Sequence, residues 1–317
     1  MYKRILVPLD GSKLAEQVIP YVLFLGKDLK AQVQILRVFD PVPPDVTDPF
    51  RGIYSHEVAA TRQRHAQDYL DGVKAALLGN GLTVATAVEE GSPADQIVAE
   101  AEKEPDTLIA MSTHGRSGMS RWVLGSVTDK VLHATPNPLL IIRSHEPAGP
   151  TQEVKLDTVI VPLDGSELSK VVLPHVVALA SPRRWKVVLA RVTPSAGEYY
   201  RYMSVQTMDS ASKLYYGPYE EFSKEADALA MEYLHRVREN LMKERVASVE
   251  ERLLQGHPAE ALVDLACDTP DCLIAMTTHG RSGVGRWMLG SVADRVVRYS
   301  MSPVLVIRPP GENLERE

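Results

Sequence analysis

In 317 residues the chain has only two cysteines, Cys267 and Cys272. One possible bridge is not the framework of a small secreted domain. Their setting, "ACDTPDCLIAM", predicts a helix end followed by a buried strand, so both are expected to be reduced core thiols. Nowhere does an uninterrupted apolar run approach the roughly 18 residues that cross a bilayer, and no transmembrane helix is expected. The opening "MYKRILVPLDGS" runs straight into a strand, without the flank, apolar core and cleavage site of a signal peptide, so the cytoplasm is the default expectation. Blocks of lysine and arginine are also missing, and the formal net charge is -6. A dedicated nucleic-acid surface is therefore not expected. Nor do the nine histidines and two cysteines show C-x2-C or H-x3-H spacing, so no metal site is expected; His56 and His65 share a helix but are not a ligand pair on one face. No Walker loop, G-x4-G-K-(S/T), occurs in either half.

What the chain does have is a long internal repeat, as its length already suggests two domains. "KRILVPLDGSKLAEQVIPYV" from Lys3 matches "DTVIVPLDGSELSKVVLPHV" from Asp157. "GSPADQIVAEA" from Gly91 matches "GHPAEALVDLA" from Gly256, and "PNPLLIIR" from Pro136 matches "MSPVLVIR" from Met301. The match covers nearly the whole of each half, which sets domains at residues 1–145 and 156–310. Between them "SHEPAGPTQEV" has the composition of a linker. The copies differ most between Val192 and Tyr233, where the second half carries a longer, tyrosine-rich loop.

Within a half, short β-branched runs alternate with amphipathic segments. "RILVPL", "AQVQILRVF", "LTVATAVEE", "DTLIAMS" and "PLLIIR" are the strands, several apolar on both faces. Helices are predicted over Ser12–Leu29, Tyr54–Leu78, Ser92–Glu104 and Ser126–Thr135. Strands apolar on both faces need cover on both sides. The fold class is thus α/β: a Rossmann-like, doubly wound, five-stranded parallel sheet, made twice. Ligands of such sheets sit outside the carboxyl ends of the strands, where strand order reverses.

At that edge lies "STHGRSGMSRWVLGSVTDKVL", from Ser112, repeated as "TTHGRSGVGRWMLGSVADRVV", from Thr277. Ser126 and Asp129, like Ser291 and Asp294, have capping-box spacing, and a glycine before a cap is explained by backbone freedom alone. A second explanation is that the loop and the helix start converge their N–H groups on an anion. Gly115 and Gly280 permit close approach, and Gly125 with Ser126, or Gly290 with Ser291, face it. Arg116 and Arg281 add guanidinium forks suited to phosphate. Asp10 and Asp164, in "VPLDGS", fall at the end of strand one, where a carboxylate can accept from ribose hydroxyls or simply hold a turn. Val38 and Val192, at the end of strand two, either offer an apolar wall and backbone groups to a flat base or are plain core.

The combination "ILVPLDGS... THGRSG... LGSV... NPLLIIR" resembles the universal stress protein family in its tandem form, over almost the entire chain. Nucleotide-binding members of that family carry G-x2-G-x9-G-(S/T) after strand four. Gly115 and Gly280, then Gly125-Ser126 and Gly290-Ser291, match it. Ser112 and Thr277 stand where the first glycine would be. The resemblance implies an adenine nucleotide, ATP or else AMP or ADP, with Mg2+ in some members. Its pocket would comprise Pro8, Leu9, Asp10, Val38, Ser112, His114, Gly115, Arg116, Gly125, Ser126 and Val127. In the second half the pocket would comprise Pro162, Leu163, Asp164, Val192, Thr277, His279, Gly280, Arg281, Gly290, Ser291 and Val292. It also implies pairing of two such domains through their fifth strands, an internal pseudo-dimer, with a homodimer and a protein partner as further possibilities.

Three functions fit these residues: a nucleotide-binding regulator of the stress response, a slow ATPase or phosphotransferase on the same pocket, and an interaction scaffold without nucleotide. His114 and His279 lack a surrounding catalytic set and read as phosphate donors or loop packing. No catalytic residue is assigned. Trp122 and Trp287 read as apolar anchors of the loop. Tyr199, Tyr200, Tyr202, Tyr215, Tyr216 and Tyr219 offer a partner surface, a lid or an ordered loop.

Overall fold

The computed structural model describes residues 1–41, 55–113, 124–144, 154–206, 218–279 and 289–309. It divides into two compact units, Met1–Lys155 and Leu156–Glu317. In the first, the chain runs β1 (Arg4–Pro8), α1 (Ile19–Leu29), β2 (Gln32–Phe39), α2 (Ser55–Leu78), β3 (Val84–Glu90), α3 (Pro93–Glu102), β4 (Thr107–Ser112), α4 (Ser126–Ala134) and β5 (Leu139–Ile142). The strands pair in the order β3-β2-β1-β4-β5, every pairing parallel.

The second unit repeats this with β6 (Thr158–Pro162), α5 (Leu173–Ala180), β7 (Lys186–Thr193), α6 (Ala196–Gln206), α7 (Tyr219–Lys243), β8 (Ser248–Gln255), α8 (Pro258–Cys267), β9 (Cys272–Thr277), α9 (Ser291–Tyr299) and β10 (Val304–Ile307). Its order is β8-β7-β6-β9-β10, again parallel throughout. These are doubly wound α/β sheets.

Burial explains the sequence pattern. All six residues of β4 and all six of β9 are buried, because helices on both faces take up both sides of a central parallel strand. The edge strand β3 is only partly covered, and its sequence keeps Thr86, Glu89 and Glu90 accordingly.

The first predicted helix is not continuous. Ala15–Val18 form a 3-10 turn, and α1 begins at Ile19 with Pro20 in its first turn. The second unit does the same with Leu168–Val172, α5 and Pro174. Proline has no N–H for the carbonyl four residues back and its ring crowds that carbonyl, so the α-helix restarts there.

The insert predicted as loop contains a helix, α6. Tyr199 is buried, its ring stacked on Phe222 at 4.7 Å, and the Tyr219 hydroxyl donates to the Pro194 carbonyl at 3.0 Å. These contacts tie α6 to the start of α7, while Tyr200 is exposed. Tyr215 and Tyr216, the side chain of Tyr202, and the centre of the linker lie outside the described residues. The cysteines part company: Cys272 is buried in β9, but Cys267, at the last turn of α8, is exposed, which corrects its reading as a core thiol.

Candidate functional site

In each unit the strand order reverses next to the first strand. β2 lies on one side of β1 and β4 on the other, so their carboxyl ends diverge and leave a crevice. A cavity of about 280 Å³ opens there in the first unit, and one of the same size opens at the equivalent place in the second. Both are near the lower end of the roughly 300–1,000 Å³ typical of small-molecule pockets.

In the first unit Pro8, Leu9 and Asp10 form one side of the cavity, and Leu36 and Val38 form the end of β2. Ser112, Gly125, Ser126 and Val127 close the side of β4 and α4. In the second the corresponding walls are Pro162, Leu163 and Asp164, then Ala190 and Val192, then Thr277, His279, Gly290, Ser291 and Val292. Every site residue expected from sequence that falls among the described residues thus lines a cavity. His114, Gly115, Arg116, Gly280 and Arg281 lie outside them, as do Trp122 and Trp287.

Sequence reasoning missed several wall residues. Pro93 and Ile97 of α3, Pro258 and Leu262 of α8, Thr113 and Thr278, and Asp40 also face the cavities. The signal for the helix pair was present: proline and an aliphatic residue four positions later recur in both copies, one turn apart on one face.

Asp10 and Asp164 hold turns. The Ser12 N–H donates to Asp10 Oδ1 at 2.9 Å, and the Ser166 N–H to Asp164 Oδ1 at 2.9 Å. The intervening Gly11 and Gly165 have φ of 82° and 92°, a conformation that favours glycine. Ser12 Oγ and Ser166 Oγ in turn accept from Ala15 N–H and Ser169 N–H, each at 3.1 Å. The serines close the turns that lead into the 3-10 segments, and the carboxylates are set by Asx turns at the mouth of the crevice.

The helix starts differ from expectation in two ways. Gly125 and Gly290 are themselves the N-caps, with φ of -58° and -60°, and neither helix has a side-chain cap bond. Ser126 and Ser291 are therefore first helical residues, and Ser-x-x-Asp is no capping box. Asp294 instead accepts from Arg298 Nε at 2.8 Å. Glycine is also not present for positive φ. A Cβ on residue 290 would lie 2.7 Å from the Thr278 carbonyl oxygen, so close approach of the two backbones requires its absence.

The same approach engages an N–H that the sequence offered to a ligand. Gly125 N–H donates to Thr113 O at 2.8 Å and Gly290 N–H to Thr278 O at 2.9 Å. The residues that follow them, Ser126 and Val127, Ser291 and Val292, begin a helix whose first N–H groups have no intrahelical acceptor. With the helix dipole behind them, they make each cavity wall attractive to an anion.

Two residues fill the place of the family's first loop glycine. Ser112 is buried at the end of β4. Thr277 turns its hydroxyl to the His279 carbonyl at 2.8 Å, and His279 Nδ1 lies 3.1 Å from Thr278 Oγ1. The buried imidazole is thus part of a local network around the loop entrance. Among the described residues no cluster of three or more His, Cys, Asp or Glu side chains is arranged to hold a metal. No helix among them is long and apolar enough to cross a membrane.

Comparisons with known proteins follow this geometry. The model of the universal stress protein family matches residues 1–143 and again 155–308. A universal stress protein of Mycolicibacterium smegmatis is 26% identical over 311 residues, covering 96% of this chain and 97% of its own. One from Methanocaldococcus jannaschii is 32% identical over 143 residues, 45% of this chain and 83% of its own. In structure, a universal stress protein from Archaeoglobus fulgidus aligns over 97% of this chain and 99% of its own with a TM-score of 0.66 at 19% identity, a likeness of fold. With both halves matched by the same family and the fold shared end to end, the chain belongs to the universal stress protein family and carries its domain twice.

Proposed function

We propose that the cavities bind adenine nucleotide, ATP or AMP, and that occupancy adjusts conformation or partner choice in a cytoplasmic stress response. One observation carries this reading. An Asx-turn carboxylate, the end of the second strand and an uncapped helix start converge on a cavity at the strand-order reversal, and they do so twice in one chain.

In this reading the base lies against Val38 or Val192, next to the backbone at the end of the second strand. The carboxylate of Asp10 or Asp164 accepts from ribose hydroxyls. Phosphate oxygens take the first N–H groups of α4 or α9, where the dipole favours negative charge. His114, Gly115 and Arg116, with His279, Gly280 and Arg281, are proposed to complete the phosphate cradle on the strength of the family motif. Mg2+ would ride chiefly on phosphate oxygens and water, as that ion prefers, with one protein carboxylate at most.

The test is direct. Protein purified without added nucleotide is denatured and the supernatant separated by chromatography, and the native protein is titrated with ATP by calorimetry. Released adenine nucleotide or saturable binding is expected. Finding neither overturns the reading, and turnover of ATP-Mg2+ to ADP would move it to an enzymatic one.

A further inference from the structure

The two cavities share their walls but not the charges behind them. Beside the aspartate loop of the first unit, the Arg37 guanidinium lies 4.9 Å from the centre of the Tyr69 ring, and the Tyr69 hydroxyl donates to Glu16 Oε1 at 3.0 Å. Arg37 also packs against Gly11, the residue after Asp10. In the second unit Arg191 lies 5.0 Å from the Tyr233 ring in the same way. The place of Glu16 is taken by Lys170, whose ammonium lies 5.4 Å from that ring.

The substitution is an exchange within one turn. Lys13 donates to Glu16 at 2.7 Å, whereas Lys170 donates to Glu167 at 2.6 Å. The outer partners, Lys13 and Glu167, are 81% and 86% exposed, so water and salt screen them. The inner partners are 20% and 34% exposed and follow the wall residues Ala15 and Ser169. Hence the inner charge is negative in one unit and positive in the other. Asp40 adds a second difference, since it lines the first cavity, and Pro194 follows β7 where Asp40 follows β2.

The tyrosines report the same fields. Burial, then Glu16, push the Tyr69 hydroxyl up, with Arg37 opposing and Asp10 adding to the rise. Burial also pushes Tyr233 up, but its hydrogen bond with Ser169 and the charges of Lys170 and Arg191 pull it down while Asp164 raises it. Among the described residues, three carboxylates, Asp10, Glu16 and Asp40, thus stand around the first cavity with two cations, Arg37 and the Arg62 that donates to the Asp40 carbonyl at 2.9 Å. Around the second, Asp164 faces two cations. The loop sequences do not offset this, because "HGRSG" and a second arginine, Arg121 or Arg286, occur in both.

We infer that the second unit holds the polyphosphate site of this chain, favouring nucleoside triphosphate, while the first selects against phosphate charge and favours the nucleoside or its monophosphate. This rests on nucleotide binding as proposed above and assigns each pocket its ligand class. Between the two cavities the difference among the described residues amounts to two charges, partly screened, which for a triphosphate corresponds to a preference of about tenfold.

The experiment uses the full chain and photoactivatable azido derivatives of ATP and adenosine, with the labelled peptides mapped by mass spectrometry. The ATP probe is expected to label the second cavity about tenfold more than the first at sub-saturating concentration, and less selectively in high salt. The adenosine probe is expected to lose that bias. Exchanging Glu167→Lys with Lys170→Glu should abolish the ATP preference. Exchanging Lys13→Glu with Glu16→Lys should raise ATP labelling of the first cavity, in both cases without change of net charge. Equal labelling by ATP, or a ratio unmoved by both exchanges, overturns the inference while leaving nucleotide binding intact. Labelling of neither cavity by either probe overturns both.

Discussion

The Thr278 carbonyl oxygen accepts the Gly290 N–H at 2.9 Å and lies 2.7 Å from the point where a Cβ on residue 290 would stand. One oxygen thus ties the end of β9 to the start of α9, and the absence of a side chain permits it. The last motif glycine has a packing role whether or not a ligand is bound.

Replacing Gly290 by alanine forces backbone against backbone. A cost of about 1–3 kcal/mol is expected for that unit, seen as faster hydrogen exchange along β9, with weaker ATP binding alongside. Ser291→Ala, at an exposed neighbouring position, should stay within about 0.5 kcal/mol. Unchanged exchange in Gly290→Ala would show that the backbones part easily and would leave the glycine to the ligand.

Asp164 separates turn from ligand role through two substitutions. Asparagine keeps an acceptor for the Ser166 N–H, so stability should hold, but the charge-assisted bond to ribose is lost and ATP affinity should fall about tenfold. Alanine removes the turn bond as well, at about 1 kcal/mol. Calorimetry and urea denaturation read the two effects. An Asp164→Ala protein with undiminished affinity would make Asp164 a turn residue only.

Acid should loosen the first unit before the second. Arg4 and Glu100, both buried, are 3.2 Å apart, and Arg4 also donates to Thr107 Oγ1 and to the Glu100 carbonyl. Burial alone would raise the Glu100 carboxyl. Hydrogen bonds from Lys103 and Gln34 and the charges of Lys103 and Arg4 outweigh it, holding the carboxyl below its ordinary value. A carboxyl lower in the folded than in the unfolded state stabilises fully above the unfolded value, near 4.3, and that contribution disappears as pH falls through the depressed folded one. In the second unit Thr158, Val188, Leu265 and Cys272 occupy the matching places, so this contribution is missing there. Hydrogen exchange of β1 should accelerate on acidification more than that of β6. At neutral pH Glu100→Gln should destabilise the first unit by about 3 kcal/mol, and equal acid sensitivity of both strands would contradict this.

The two thiols should react in two steps. Cys267 is exposed, while burial pushes the Cys272 thiol up, with its hydrogen bond to Ser302 opposing. Thiolate is the reactive form, so one equivalent of an aromatic disulfide reagent should be consumed by the native protein and the second only on unfolding. Rapid reaction of both in the native state would show that β9 opens.

Much of the fold was legible because its signals are local. The β-branched runs of β1, β4 and β9 are apolar on both faces and can exist only inside a covered parallel sheet. Repetition of the pattern then implied the duplication. Asp10 and Val38 could be placed in one crevice because both end strands that the doubly wound order puts side by side. The break before α1 was written in Pro20, but proline at a helix start and proline within a helix look alike until the flanking turn is known. Ser126 was misplaced by one position for a similar reason: serine is a better cap than glycine by propensity, and the close approach of Thr113 and Gly125 overrides it.

By itself the sequence determined the α/β class and the repeat, and its motifs carried the resemblance to the family. The first two follow from periodicity and spacing, which short-range sterics and hydrophobicity impose along the chain. Only the tertiary structure decided why Gly290 is a glycine, which N–H groups remain at the helix starts, and that Glu16 and Lys170 occupy the same place beside matching tyrosines. Each of these depends on atoms far apart in sequence and within a few ångströms in space, where a single carbonyl or a single charge changes what a pocket can hold.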